Sequence, residues 1–148
     1  MSDMALTREN AWALLTEHVQ AEPLLKHCIG VEASMREYAR IFGEDEERWG
    51  FIVLSHDFDF EIHPTLDKHP QDGAPILRER GVPEDVIQSV LSHADHLDVP
   101  RATRLELTLA AVDEMSGFVT AVALVRPTKS IDDVTPSSVR KKMKDKAF

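Results

Sequence analysis

A single cysteine, Cys28, leaves no partner for a disulfide within the chain, so the fold has to be held without staples. One thiol and no disulfide framework suit a reducing compartment, and the cytoplasm is the expected location. Long apolar runs are also missing. None approaches the roughly 20 residues of a membrane-spanning helix, so no membrane segment is expected. The opening MSDMALTREN has neither a basic start nor an apolar stretch, so no signal peptide is expected either. Positive charge is scarce: 17 Lys and Arg against 26 Asp and Glu leave a formal net charge of −9. Such a chain is ill suited to nucleic acid, whose backbone is bound by Lys and Arg neutralising phosphates. A small phosphorylated substrate, held by a metal and a few local cations, is still compatible with that balance. Repeats, low-complexity tracts and linkers are absent, so residues 1–148 are expected to form one domain, long enough to bury a core.

What is present reads as helix, and strand signals are nearly absent. Thr7 can cap a first helix through Ala11, Trp12 and Leu15. Glu22-Pro23 opens a second, in which Leu24, His27, Cys28, Val31, Met35 and Tyr38 recur three and four apart until Phe42-Gly43. A third begins near Glu44, with acidic residues at its start as the helix dipole favours, and carries Trp49, Ile52, Val53 and His56. Residues 58–70 read as a loop broken by Pro64 and Pro70. Short helices are expected over about 71–80 and 83–95, a long one over 102–125, and a basic one over 136–146. The expectation is an all-α fold.

Seven histidines give the chain its chemical character. His56-Asp57 falls at the end of an apolar helix, where an adjacent nitrogen and oxygen can turn toward one ion. His27 lies on the apolar stripe of the second helix, and a buried imidazole needs a partner at both ring nitrogens. Asp113 lies in mid-helix, one turn after Leu109 and Ala110, on an apolar face where a carboxylate is costly unless paired or metal-bound. His69 opens the Lys68-His69-Pro70 turn, and His93 ends the apolar stretch from Val86 to Leu91. Each residue alone has an ordinary reading as a satisfied core histidine, a helix-end histidine or an ion-paired aspartate. Together they make a nitrogen and oxygen ligand set.

In order, His27, His56-Asp57, His69, His93 and Asp113 resemble the H…HD…H…H…D signature of the HD superfamily, in its dinuclear branch. The segments Lys68 to Ala74, Ile87 to His93 and Ala110 to Gly117 are similar to those of small bacterial HD-domain hydrolases, and the likeness spans about residues 24–130. It implies a helical bundle of about six to seven helices and one or two divalent transition metal ions (Mn, Fe, Co, Ni or Zn). One site implied by the resemblance is His27, His56, Asp57 and Asp113; the other is His69, His93 and a bridging Asp57. His63 and His96 lie near enough in sequence to compete with His69 or His93 as ligands.

A metal-bound water can fall from a pKa of about 15.7 to about 7, which gives a nucleophile at neutral pH. Asp57 is then central to catalysis, and Asp59 or Glu61 can orient the water or a ligating histidine. Arg126 and Lys129, after the long helix, are candidates to bind a phosphate. The expected activity is hydrolysis of a nucleotide or other small phosphoester. Two alternatives stay open: a di-iron oxygenase built on the same ligands, and a non-catalytic module stabilised by metal.

Overall fold

The structure is a computed structural model and describes residues 3–148. Met1 and Ser2, the start of the stretch inspected for a signal peptide, lie outside the described residues. Among those described there are seven α-helices and no β-strand, so the fold is all-α as expected. The chain divides into two compact units, the first ending at Val112 and the second running over Asp113–Phe148.

In the first unit, α1 (Arg8–His18) begins as its sequence dictates: the Thr7 hydroxyl accepts the Asn10 amide, one of the donors a helix start leaves unpaired. Next, α2 (Glu22–Phe42) starts with proline in its first turn and stops at Gly43, whose φ of 67° only glycine adopts without strain. Asp45 caps α3 (Glu46–Ser55) by accepting the Arg48 amide. From Trp49 to Ser55 every residue of α3 is buried, because the helix packs against α1, α2 and α5. It is therefore the central helix of this unit, and its apolar run Phe51-Ile52-Val53-Leu54 is core on all sides. Between α2 and α3, buried Glu32 receives Arg8 at 2.9 Å and Arg36 at 3.0 Å, and Arg36 also reaches Glu47 at 2.8 Å.

The stretch expected as a helix over 71–80 is a 3-10 turn, Gln71–Gly73, followed by α4 (Ala74–Glu79). The helix expected over 83–95 stops earlier, as α5 (Glu84–Leu91), and a separate 3-10 turn covers Asp95–Leu97. Arg101 fixes that turn by donating to the carbonyls of Ser92 and His93 and to the Asp95 carboxylate. The long helix α6 (Arg104–Leu124) starts at a capping box: Thr103 Oγ1 accepts the Glu106 amide, and Glu106 accepts the Thr103 amide in return. Glu106 is buried and also receives the Ser89 hydroxyl of α5, at 3.4 Å.

The second unit holds the rest of α6, a 3-10 turn at Ile131–Asp133, and α7 (Pro136–Met143). Thr135 and Ser138 form a capping box at the start of α7. Phe118 and Phe148 meet edge to face at 5.4 Å, with the Lys142 ammonium 5.3 Å from the Phe148 ring. The expectation that no segment reaches membrane-spanning dimensions is corrected here. By length and composition α6 qualifies, with a mean hydropathy of 1.5. The search for an uninterrupted apolar run missed it because Asp113 and Glu114 break the run at mid-helix. Those same carboxylates oppose insertion, since an aspartate at the centre of a spanning helix costs roughly 2.5–3.5 kcal/mol.

Candidate metal centre

The centre is built at helix ends. His56 is the residue on which α3 closes, and its ring Nδ1 lies 2.5 Å from the Val53 carbonyl oxygen. His93 follows α5 and repeats the arrangement, with Nδ1 2.5 Å from the Val90 carbonyl oxygen. The last carbonyls of a helix lack intrahelical donors, so a histidine three residues on can satisfy one of them. A carbonyl oxygen only accepts, and the proton of each neutral ring is therefore on Nδ1. Each Nε2 is left with its lone pair. His69, in the turn before α4, makes the same choice with a different partner: its Nδ1–H donates to Asp59 Oδ1 at 2.7 Å.

All three Nε2 atoms converge on Asp57. Its Oδ2 lies 3.0 Å from His56 Nε2 and 3.8 Å from His27 Nε2, the latter presented by α2. Its Oδ1 lies 3.3 Å from His69 Nε2 and 3.3 Å from His93 Nε2. One donor atom each from His27, His56 and Asp57 falls within 4.8 Å of the others, and the same holds for Asp57, His69 and His93. The carboxylate thus addresses two histidines with each of its oxygens. Side chains of Asp57 and His27 keep 14% and 26% of their exposure, so solvent reaches the cluster.

Lone pairs aimed at a carboxylate repel it unless a proton or a cation lies between them. The charges respond accordingly. Burial works to raise the Asp57 carboxyl, but His56, His69 and His93 prevail and hold it well below the usual carboxylate range. Burial likewise opposes a charged His69 ring, yet Asp57 and Asp59 raise it to about 9. An imidazole and carboxylate set with tautomers fixed by outer partners is the donor chemistry of a divalent transition metal site, so these residues fit such an ion.

A family model of the HD domain matches residues 24–117, more than half of the chain and the stretch that holds these side chains. The chain belongs to the HD domain family. HD domains bind divalent metals and are generally hydrolases, and the His-Asp pair that names the family is here His56-Asp57. No curated protein and no solved structure matches the chain significantly.

Within this HD domain the other sequence candidates separate. His69 and His93 stand at Asp57, while His96 is exposed in the 3-10 turn at Asp95–Leu97, and His63 donates to Asp59. Asp59 is buried, and its Oδ1 accepts from His69 Nδ1. Glu61 corrects the reading that paired it with Asp59. Its two oxygens accept the backbone amides of Gln20 and Ala21, at 2.5 and 2.8 Å. Ala21 precedes α2 and has no side-chain cap of its own, so Glu61 serves the start of that helix and not the cluster. Asp113, Arg126 and Lys129 belong to the second unit, Asp113 on α6 and the other two in the turn after it.

Two contributors escaped the sequence reading. Gly73 lies so close to Asp59 that a Cβ there would fall 2.9 Å from its Cγ. Arg101, through the His93 carbonyl, holds the turn that carries His93. The four-residue spacing of Asp59 and His63 was a legible signal for their contact, whereas nothing in the sequence marked Gly73.

Proposed function

We propose that this HD domain is a metal-dependent phosphohydrolase acting on a nucleotide or another small phosphoester. The observation that carries this reading is the division of Asp57, whose Oδ2 faces His27 and His56 while Oδ1 faces His69 and His93. In this reading His27, His56 and Asp57 hold one divalent ion, and Asp57, His69 and His93 hold a second, with Asp57 bridging. Asp113, which occupies the final aspartate position of the family pattern, is our proposed fourth ligand to the first ion. When bound, the ions supply a water activated near neutral pH and Lewis acidity for a phosphoryl oxygen.

The chain's own residues do the rest. Asp59 holds His69 in the tautomer with its proton on Nδ1, and the Val53 and Val90 carbonyls do the same for His56 and His93. Arg126 and Lys129 are our proposed partners for the substrate phosphate, supplying cations that an acidic chain otherwise has in short supply. The proposal places the protein in the cytoplasm, acting on a small molecule, without nucleic acid or membrane.

Metal analysis of the purified protein, followed by a panel of phosphoesters with Mn, Co or Fe added, tests this. Metal-dependent phosphate release that disappears in a His56→Ala/Asp57→Ala double variant is the expected result. Iron-dependent oxygen consumption without phosphate release would overturn the hydrolase reading in favour of an oxygenase. Bound metal with no turnover of any kind would point to a metal-stabilised module.

A further inference from the structure

Asp59 is 1% exposed, and both its oxygens are engaged. Oδ1 accepts from His69 Nδ1 at 2.7 Å, and Oδ2 accepts from His63 Nδ1 at 3.1 Å. The backbone sets the second contact, because the His63 amide donates to the Asp59 carbonyl at 2.7 Å in a single helical turn. Residues four apart in such a turn lie on the same side. Gly73 walls the carboxylate off, since even a methyl group there would sit 2.9 Å from Cγ. Two donors and one wall fix the plane of the Asp59 carboxylate, and that plane fixes the direction in which His69 points its Nε2.

We infer that His63 is a positioning residue of the second metal subsite: by donating to Asp59 Oδ2 it locks the carboxylate that orients His69. The inference rests on the reading of His69 as a metal ligand. His63 was weighed as a rival to His69, but it is not among the donors gathered on Asp57, and its Nδ1 is spent on Asp59. Without His63, Oδ2 is a buried carboxylate oxygen with no donor. Asp59 is then free to turn about its Cβ–Cγ bond, and the His69 ring loses its fixed orientation. Ligands that lose an outer partner of this kind typically lose about 10–100-fold in metal affinity.

The alternative role for His63 is to pin the loop, which would change stability and leave metal affinity alone. Metal binding separates the two. Full-length protein is stripped of metal, titrated with Co²⁺ against a competing chelator, and followed by the visible absorption of the bound ion. Wild type is expected to fill two subsites. His63→Phe is expected to keep the first affinity and weaken the second by about 10-fold or more, with a changed Co²⁺ spectrum. His63→Ala is read in parallel, so the result does not depend on how a phenylalanine fits. His63→Asn, whose side-chain amide can donate from near the Nδ1 position, is expected to recover most of the lost affinity.

A lowered Tm with both affinities and the spectrum unchanged overturns the inference, as does an Asn variant no better than Phe. Equal loss at both subsites also overturns it, because the effect then lies in the fold at large. A wild type that fills only one subsite removes the two-metal reading itself, and the inference with it. Two filled subsites without phosphoester turnover would instead count against the hydrolase proposal alone.

Discussion

His56 Nε2 lies 3.0 Å from Oδ2 of Asp57, its neighbour in the chain, while His56 Nδ1 is committed to the Val53 carbonyl. Adjacent residues rarely face each other on a helix, and these do so because α3 ends at Ser55 and the chain is turning. His69 and His93 address the other oxygen of Asp57, so the two halves of the cluster can be taken apart. His93→Ala is expected to lower the metal content by about one ion while leaving the His27 half intact, and His27→Ala to do the reverse. Metal analysis of the two single variants and of the His27→Ala/His93→Ala double variant after dialysis checks this. About one ion lost in each single variant and both in the double is expected, and loss of all metal in either single variant would mean a single shared site.

The cluster also ties metal uptake to pH. His69 titrates at about 9 in the metal-free protein, so its ring is protonated at neutral pH. Its Nε2 must lose that proton to bind an ion, so uptake at the second site should release about one proton near pH 7.5. Affinity there should rise with pH until about 9 and then level off. Calorimetric titration in two buffers of different ionisation enthalpy measures the proton directly. For the metal-free fold the sign is the opposite. A raised His69 adds stability that is fully present below its ordinary value of 6.5 and is lost as pH climbs through about 9. The depressed Asp57 adds stability above its ordinary value of 3.8, lost only as pH falls through its much lower folded value. Melting curves of stripped protein should therefore fall between pH 7 and pH 10, and added metal should remove that fall.

Gly73→Ala is a probe of Asp59 that alters no ligand and no hydrogen-bonding group. The backbone there is right-handed helical, with φ −76° and ψ −26°, so alanine is acceptable to the chain itself. The added methyl, 2.9 Å from Asp59 Cγ, has to displace the carboxylate. Second-site affinity should drop by about 10-fold with first-site affinity preserved. An unchanged second site would show that Asp59 can shift without disturbing His69.

Away from the centre, Glu32 holds two arginines while itself buried. Glu32→Ala leaves Arg36, whose side chain is 13% exposed, without its buried partner, while Glu47 still accepts from it at 2.8 Å. Arg8 is about half exposed and keeps its access to water. The expected loss is about 2–3 kcal/mol, less than for a fully buried pair, and denaturant unfolding measures it. A loss below about 0.5 kcal/mol would show that the existing contact with Glu47 is enough to hold Arg36.

Much of this was legible in the residues. Thr7, Gly43 and the acidic start of α3 act locally, so their roles as caps and stops could be read off directly. His27, His56, Asp57, His69 and His93 stood out because nitrogen and oxygen donors on apolar helices demand an explanation. What stayed hidden depends on contacts made by the fold. Glu61 and Asp59 are equivalent loop acids in sequence, and only the meeting of residues 20 and 61 sends Glu61 to the start of α2. The Gly73 contact is likewise a product of how the turn before α4 lies on Asp59. The Thr103–Glu106 capping box was present as a Thr-x-x-Glu pattern and went unused, which is why α6 was expected to begin two residues early.

The most direct test of the account is the metal content of Asp57→Asn measured beside that of wild type. Each Asp57 oxygen serves one half of the cluster, and asparagine replaces one of them with an NH₂ that cannot ligate and removes the negative charge from both. Wild type reconstituted with Mn²⁺ or Co²⁺ should retain two ions per chain, and the folded Asp57→Asn protein should retain neither after dialysis. Two ions retained by a folded Asp57→Asn protein would contradict the account.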